Sequence, residues 1–269
     1  MIYLDNAATT YPKLPEVIKA VSKCLKEEGA NPGRGGYSLA IRAARVIYNT
    51  REQLARLFNV DDSANIVFTL NATDSLNMAI KGIVRPGDHV VTTMVEHNAV
   101  LRPLQWLETN RKVEFSKVPA SSEGDIDLNV LEAAIKPNTV LMVINHASNV
   151  IGSILPIAAI AEIAHRRNIP ILVDAAQTAG GFPIDVQTMG IDMLAFTGHK
   201  ALLGLQGTGG LYISPDLEVM ESRQGGTGSD SSGPQPKVRP DRYESGTPNT
   251  PGIAGLGVGV EFILKVGVK

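Results

Sequence analysis

The sequence predicts an α/β fold in which a mainly parallel central sheet is covered by helices on both faces. Strand-like and helix-like stretches alternate from Asn65 onward, and such alternation is typical of βαβ units. Residues 193–196 are apolar throughout, as expected of a buried strand. With 269 residues, 43% of them hydrophobic, the chain can bury a sizeable core. We therefore expect a three-layer α/β/α architecture.

The strands are predicted from short apolar runs that turn residues separate. They cover residues 66–69, 89–92, 113–118, 140–144, 169–173, 193–196 and 211–213. Helical patterns cover residues 15–26, 39–58, 71–83, 100–107, 128–135, 157–164 and 250–264. Gly29 is expected to stop the first helix, and Pro103 is expected to break the fourth. Residues 225–233, which read GGTGSDSSG, are predicted to form a mobile loop.

Charge and cysteine content exclude several classes of function. The formal net charge is -2 without a basic run, so nothing favours binding to nucleic acid or a membrane surface. The first residues lack a signal-peptide pattern, and no stretch stays apolar over the roughly 20 residues of a membrane span. We therefore expect a cytoplasmic protein that acts on small molecules. The single cysteine, Cys24, excludes a disulfide framework, and its place near an apolar helix stripe predicts a packed structural thiol.

Polar side chains follow five of the predicted strands at the points where the strands end. In an open parallel sheet, ligands bind at the carboxyl ends of the strands. The groups found there include one lysine, one aspartate, imidazoles, amides and hydroxyls. In chain order they are Asn71, Ala72, Thr73; Glu96, His97, Asn98; His146, Ser148, Asn149; Asp174, Gln177; and Thr197, His199, Lys200. This concentration of polar groups is the main functional signal.

Each of these residues also has an ordinary structural interpretation. Thr73 can be a plain helix N-cap, and Asp174 can cap the segment that follows it. His97 alone resembles a surface or hydrogen-bonded core histidine, and Lys200 alone resembles a solvated loop lysine. The set is harder to explain structurally than any one member.

The set meets the requirements of pyridoxal phosphate. Lys200 can form a Schiff base with the cofactor, and Asp174 can pair with the ring nitrogen so that the ring withdraws electrons. The start of the helix after the first strand can bind the phosphate. His97 can lie on the ring, and Asn149 or Gln177 can hold the phenolate oxygen.

Other catalytic templates are not found in the sequence. No GxGxxG follows a strand and opens a helix, and no GxxxxGK[ST], GxSxG or HExxH occurs. The 5 histidines lack the spacing of metal ligands, so no metal site is predicted. A dehydrogenase, a nucleotide triphosphatase, a serine hydrolase and a zinc enzyme are therefore disfavoured.

Seven segments along the chain resemble the cysteine desulfurases, which belong to the class V aminotransferase group of fold-type I pyridoxal phosphate enzymes. They are YLDNAATT at 3–10, NATDSLN at 71–77, EHN at 96–98, HASNVIG at 146–152, VDAAQTAG at 173–180, TGHK at 197–200 and ESGTPNTPGI at 244–253. The segments occur in the family's order over nearly the whole chain. The resemblance implies the large domain of that fold type and conversion of L-cysteine to L-alanine, with transfer of sulfur to an enzyme persulfide.

The resemblance also implies roles for individual residues. Lys200 would hold the cofactor and move protons at the substrate alpha carbon, with His97 and Asp174 as the other catalytic residues. The cofactor contacts would be the phosphate ligands Ala72, Thr73, Thr197 and His199, the phenolate ligands Asn149 and Gln177, and the ring neighbours His97 and Asp174. Thr247 would bind the phosphate of a neighbouring subunit, which implies a homodimer. A sulfur-acceptor protein is a further implied partner.

The resemblance divides the chain into three regions. Residues 1–30 would be an N-terminal segment and helix, 31–250 the cofactor-binding large domain, and 251–269 the start of a helix leading to a small C-terminal domain. In the family, that small domain carries the cysteine that attacks the substrate sulfur and the arginine that holds the substrate carboxylate. Neither can be placed in this sequence, because the sequence stops at Lys269 and Cys24 is not at the position of the family's catalytic cysteine. We therefore expect impaired desulfuration.

Other functions remain compatible with the same residues. Within the cofactor class they are an aminotransferase, a selenocysteine lyase or another carbon–sulfur lyase. Outside it, the chain would be a catalytically silent scaffold that keeps the fold.

Overall fold

A seven-stranded sheet forms the centre of the computed structural model, which describes residues 2–33, 35–228 and 233–268. The strands are β1 Ile66–Thr69, β2 His89–Thr93, β3 Glu114–Val118, β4 Thr139–Asn145, β5 Ile171–Asp174, β6 Met193–Thr197 and β7 Gly209–Ile213. Their order across the sheet is β1-β7-β6-β5-β4-β2-β3. Strand β7 runs antiparallel to both of its neighbours, and the remaining pairs are parallel. The mainly parallel sheet predicted from the sequence is confirmed.

The helices of the described chain match the predicted patterns closely. They are α1 Pro15–Lys23, α2 Ser38–Phe58, α3 Ala72–Ile83, α4 Asn98–Arg111, α5 Leu128–Ala133, α6 Ile157–His165 and α7 Thr250–Val266. A π-helical turn, Cys24–Glu28, extends α1 to its cap at Gly29. The expected break at Pro103 is wrong, because α4 runs through this proline. The buried side chains of Val100, Leu104 and Leu107 anchor α4 to the sheet, and this packing offsets the backbone hydrogen bond that proline cannot make.

Helices cover both faces of the sheet, as predicted. Alternate residues of β5 show this directly, because Ile171 and Val173 belong to one buried apolar cluster and Leu172 to the other. The first cluster includes side chains of α2, α6 and α7, whereas the second includes side chains of α3 and α4. The sheet is therefore the middle layer of three.

The N-terminal and C-terminal helices pack together on one side of the sheet. Helix α7 contacts both α1 and α2, and a side chain at Gly257 would collide with Thr50 of α2. Cys24 is fully buried there, and burial followed by the charge of Glu28 raises the pKa of its thiol. The prediction of a packed structural thiol is confirmed.

Two further predictions concern loops and membrane spans. The loop predicted at 225–233 includes residues 229–232, which lie outside the described residues, and its described part contains neither helix nor strand. None of the described helices is both long enough and apolar enough to span a membrane.

Candidate functional site

A cavity of about 230 Å³ opens at the carboxyl ends of the parallel strands. It brings together every residue predicted to contact the cofactor except Thr247, whereas the strand-end residues Glu96, Asn98, His146 and Ser148 do not line it. Its lining includes Asn71, Ala72, Thr73, His97, Asn145, Asn149, Asp174, Gln177, Thr197, His199 and Lys200. The strand ends therefore meet at one place, as the sequence predicts.

Asp174, the last residue of β5, lies at the buried floor of this cavity. Its Oδ1 accepts a hydrogen bond of 2.9 Å from the backbone N–H of Ala176, as the capping interpretation predicts. Burial raises the pKa of Asp174, and this is opposed by the Ala176 bond and then by His97 and Lys200. A buried carboxylate of this kind gains most from a cationic partner within the cavity.

Lys200 is half-buried in the turn that follows β6. Burial lowers the pKa of its amine, and the nearby carboxylate of Asp174 partly opposes the change. A lysine needs the unprotonated amine to act as a nucleophile, so burial favours the reactive form. Lys200 is therefore less solvated than an ordinary loop lysine.

The N-terminal segment holds the Lys200 turn in place, a contact the sequence did not predict. The hydroxyl of Thr10 donates to the carbonyl of Lys200 at 2.6 Å, and the backbone N–H of Thr10 donates to the carbonyl of His199 at 2.9 Å. Lys13 Nζ donates to the same His199 carbonyl at 3.0 Å. The resemblance of residues 3–10 to the family indicated that this segment matters, but it did not indicate that the segment contacts the Lys200 turn.

The N-terminus of α3 forms one wall of the cavity. Asn71 caps this helix, with its Oδ1 accepting from the N–H of Asp74 at 3.0 Å, so the N-cap interpretation of Thr73 is wrong. The backbone N–H groups of Ala72 and Thr73 belong to the first turn, where a helix supplies no acceptor of its own. Helix starts of this kind bind phosphate groups.

Two buried polar atoms near the helix start have no protein partner among the described residues. They are Oγ1 of Thr197 and Nδ1 of His199, and both residues line the cavity. Buried polar atoms are nearly always hydrogen-bonded, so these two indicate a polar ligand. Together with the α3 N-terminus, Asp174 and Lys200, they fit pyridoxal phosphate, whose phosphate, ring nitrogen and aldehyde require such groups.

His97 stands at the start of α4 and combines two roles. Its Nδ1 accepts a hydrogen bond of 3.0 Å from the N–H of Ala99, which makes it the N-cap of the helix. This bond leaves Nε2 as the ring nitrogen that can donate a hydrogen bond to another group. The ring nevertheless borders the cavity, so capping does not remove it from the site.

The predicted phenolate ligands also border the cavity. Asn149 lies exposed in the loop after β4, and Gln177 lies in the turn after β5. Gln177 Nε2 donates to the carbonyl of Ala7 at 3.2 Å, which ties this amide to the N-terminal segment. The second N–H of that amide remains for another acceptor.

Thr247 lies away from Lys200 and borders a different cavity of about 380 Å³. Its hydroxyl accepts a hydrogen bond of 3.2 Å from Asn31 Nδ2. The segment before it is anchored by Glu244, which forms an ion pair of 2.6 Å with the buried Arg51. Within one chain, Thr247 therefore does not join the predicted set.

Gly209 allows β7 to approach the start of α3 closely. A Cβ at this position would lie 2.6 Å from Cα of Asn71 and 2.8 Å from the carbonyl of Phe196. We expect Gly209→Ala to lower the free energy of unfolding by about 1–3 kcal/mol, because backbone atoms must move to admit a methyl group. The shift of the α3 N-terminus should also weaken cofactor binding.

Thermal unfolding and cofactor titration check this prediction. Gly36→Ala is the matched control, since a Cβ there meets no atom within 4 Å. Unchanged stability and affinity in Gly209→Ala would contradict the close approach.

Comparisons with known proteins agree with this site. The family model for class V aminotransferases matches residues 2–269. A probable cysteine desulfurase from Methanothermobacter thermautotrophicus is 38% identical over 275 residues, which cover 100% of this chain and 68% of that protein. The apo cysteine desulfurase from Thermococcus onnurineus NA1 superposes with a TM-score of 0.93 at 32% identity, over 99% of this chain and 68% of that one.

A further solved structure, SspA in complex with cysteine, has a TM-score of 0.86 at 32% identity, covering 97% of this chain and 72% of that one. The chain spans about 62% to 68% of the length of the curated relatives it matches. Class V aminotransferases and cysteine desulfurases depend on pyridoxal phosphate, which confirms the predicted cofactor. The chain belongs to the class V aminotransferase family and is a cysteine desulfurase-like member of it.

Proposed function

We propose that this chain is the cofactor-binding part of a cysteine desulfurase, with residues 31–250 as its cofactor domain. The observation that carries the proposal is the cavity in which Lys200 and Asp174 face a helix start and the free polar atoms of Thr197 and His199. The relatives named as desulfurases and the cysteine complex of SspA support L-cysteine as the substrate. The overall reaction converts L-cysteine and a thiol into L-alanine and a persulfide.

The proposal assigns roles to the residues of the cavity that were predicted to contact the cofactor. Pyridoxal phosphate, when bound, withdraws electrons from the substrate alpha carbon, so that the hydrogen there becomes acidic. Lys200 attaches the cofactor and moves that proton through its Nζ. Asp174 holds the protonated ring nitrogen, and His97 covers the ring. Ala72, Thr73, Thr197 and His199 bind the phosphate, and Asn149 and Gln177 bind the phenolate oxygen.

The sulfur must be accepted by a thiol other than Cys24. The side chain of Cys24 is fully buried next to α1. The raised pKa of its thiol disfavours the thiolate form that would attack the substrate sulfur. We expect this 269-residue chain to bind the cofactor but to release sulfide from L-cysteine slowly. Cys24→Ser should leave the rate unchanged, as measured by sulfide release. A large loss in a Cys24→Ser protein that still folds would contradict the structural role of Cys24.

Reaction products distinguish the proposed function from the alternatives. Cofactor-loaded protein is incubated with L-cysteine and excess dithiothreitol, and amino and keto acids are quantified. We expect L-alanine without pyruvate. Keto acid formation would instead indicate transamination or elimination. A protein that stays colourless after incubation with pyridoxal phosphate would contradict the proposal and favour a scaffold.

The proposed assembly is a cytoplasmic homodimer that delivers sulfur to an acceptor protein. Thr247 supports the dimer, because it is exposed and borders a cavity other than the one that its own chain's Lys200 borders. Sedimentation tests the proposal. A monomer at micromolar concentration with full cofactor affinity would contradict shared sites.

A further inference from the structure

The carboxyl group of Glu96 is buried beside the cavity and is only half satisfied. Its Oε1 accepts hydrogen bonds from the hydroxyl of Thr93 at 2.7 Å and from the backbone N–H of Asn145 at 3.0 Å. Its Oε2 is buried and has no hydrogen-bond partner among the described residues. No lysine, arginine or histidine of the described residues forms an ion pair with Glu96. An ionised carboxylate without a cation is costly in such a place.

A second buried carboxyl lies on the neighbouring strand. Asn145, which donates to Glu96, is the register partner of Asp174 in the β4–β5 ladder. Adjacent strands lie about 4.8 Å apart, so Asn145 stands between the two acids. Burial, and to a smaller extent the charge of Asp174, raise the pKa of Glu96 to about 8.

Other titratable groups near the pair come from three further positions. His97 begins α4, and its Nδ1 accepts a hydrogen bond from the backbone N–H of Ala99. His146 follows β4, and burial lowers its pKa. Lys200 follows β6, and its charge acts on Asp174. The positive charge of Lys200 can therefore balance the negative charge of Asp174. No cation among the described residues acts on Glu96 in the same way.

We propose that Glu96 is a positioning residue that remains a neutral carboxylic acid, so that Asp174 is the one anionic carboxylate offered to the cofactor's ring nitrogen. The inference rests on the proposed cofactor site. Glu96 joins the end of β2 to β4 through Thr93 and Asn145, which fixes the strand ends that carry His97 and Asp174. A neutral acid does this without adding a second buried charge.

The substitution Glu96→Gln tests the protonation state of Glu96. The glutamine oxygen can accept the hydrogen bonds from Thr93 and Asn145, and the amide cannot ionise. A group whose pKa is raised on folding loses stabilising effect as pH rises from its unfolded value toward its folded value. The wild-type chain should therefore lose stability relative to Glu96→Gln between about pH 4.5 and 8. At about pH 8 we expect the melting temperature of Glu96→Gln to exceed the wild-type value by at least about 4 °C. At about pH 4.5 the two melting temperatures should match.

Cofactor titration tests the positioning role. Glu96→Gln should bind pyridoxal phosphate within about threefold of wild type, whereas Glu96→Ala, which leaves Thr93 and Asn145 without an acceptor, should bind at least about tenfold more weakly. Glu108→Gln, on the exposed face of α4, is the matched control and should change neither measurement. A tenfold loss in a folded Glu96→Gln, or equal melting temperatures at all pH values, would overturn the proposal.

A measurement on the unmodified holoenzyme keeps the proposal testable if either variant fails to fold. Carbon-13 labelling of glutamate carboxyl groups should reveal one resonance that titrates near pH 8. Titration of every glutamate below about pH 6 would overturn the proposal, since surface glutamates titrate near their ordinary value of about 4.3. This result is independent of cofactor turnover, so it separates failure of the inference from failure of the proposed function.

Discussion

Lys200→Ala is expected to abolish covalent capture of pyridoxal phosphate and to slow proton exchange at the substrate alpha carbon by about 10²–10⁴-fold. Lys200 is the one lysine in the described lining of the cavity, and burial lowers the pKa of its amine, which favours the unprotonated form that both steps require. Borohydride reduction followed by peptide mass analysis measures the attachment. Loss of the alpha hydrogen of L-cysteine in heavy water, followed by proton NMR, measures the exchange.

Lys136→Ala is the matched control for that experiment. Lys136 precedes the amino end of β4, does not line the cavity and forms a surface ion pair of 2.8 Å with Glu114, so its removal should change neither measurement. A borohydride-stable cofactor on the Lys200→Ala protein would show that another amine holds the cofactor. That outcome would contradict the assignment of Lys200.

Asp174→Asn is expected to weaken cofactor binding while it stabilises the cofactor-free protein. Breaking a buried ion pair by removing one partner costs about 3–5 kcal/mol, which corresponds to about 10²–10⁴ in affinity. In the cofactor-free protein the same substitution is expected to increase the stability of the fold. Burial raises the pKa of Asp174, so its ionisation destabilises the fold as pH rises above the unfolded value, and asparagine removes that penalty.

Cofactor titration and thermal unfolding of the cofactor-free protein near neutral pH measure the two effects. Asp216→Asn, at an exposed position after β7, is the control that should alter neither. A parallel loss of affinity and stability in Asp174→Asn would mean that Asp174 is structural. Equal affinity in the two variants would remove Asp174 from the cofactor site.

Most of the cavity lining was predictable, because position along the chain determines it. Asp174 ends one buried strand and Lys200 lies three residues after another, and parallel strands end at the same edge of a sheet. The residue types at those ends then restrict the chemistry to a lysine, an aspartate and a helix start. Local order along the sequence was sufficient for this step.

The contacts that hold these residues were not predictable, because they join distant parts of the chain. Thr10 reaches the carbonyl of Lys200 across 190 positions, and Glu96 meets Asn145 across 49. No local pattern marks a hydroxyl or a carboxyl for such a partner. The unbroken α4 is similar, since burial of its apolar face outweighs the local cost of Pro103.

Strand direction shows the same division. The apolar run at β7 predicts a strand, but its place between β1 and β6, antiparallel to both, follows from pairing that sequence order does not encode. Periodicity and strand-end chemistry therefore predicted the elements, the cofactor class and most of the cavity lining. Tertiary structure decided the electrostatic state of Asp174, Lys200 and Glu96, because burial and neighbouring charge set a pKa only when distant strands are assembled.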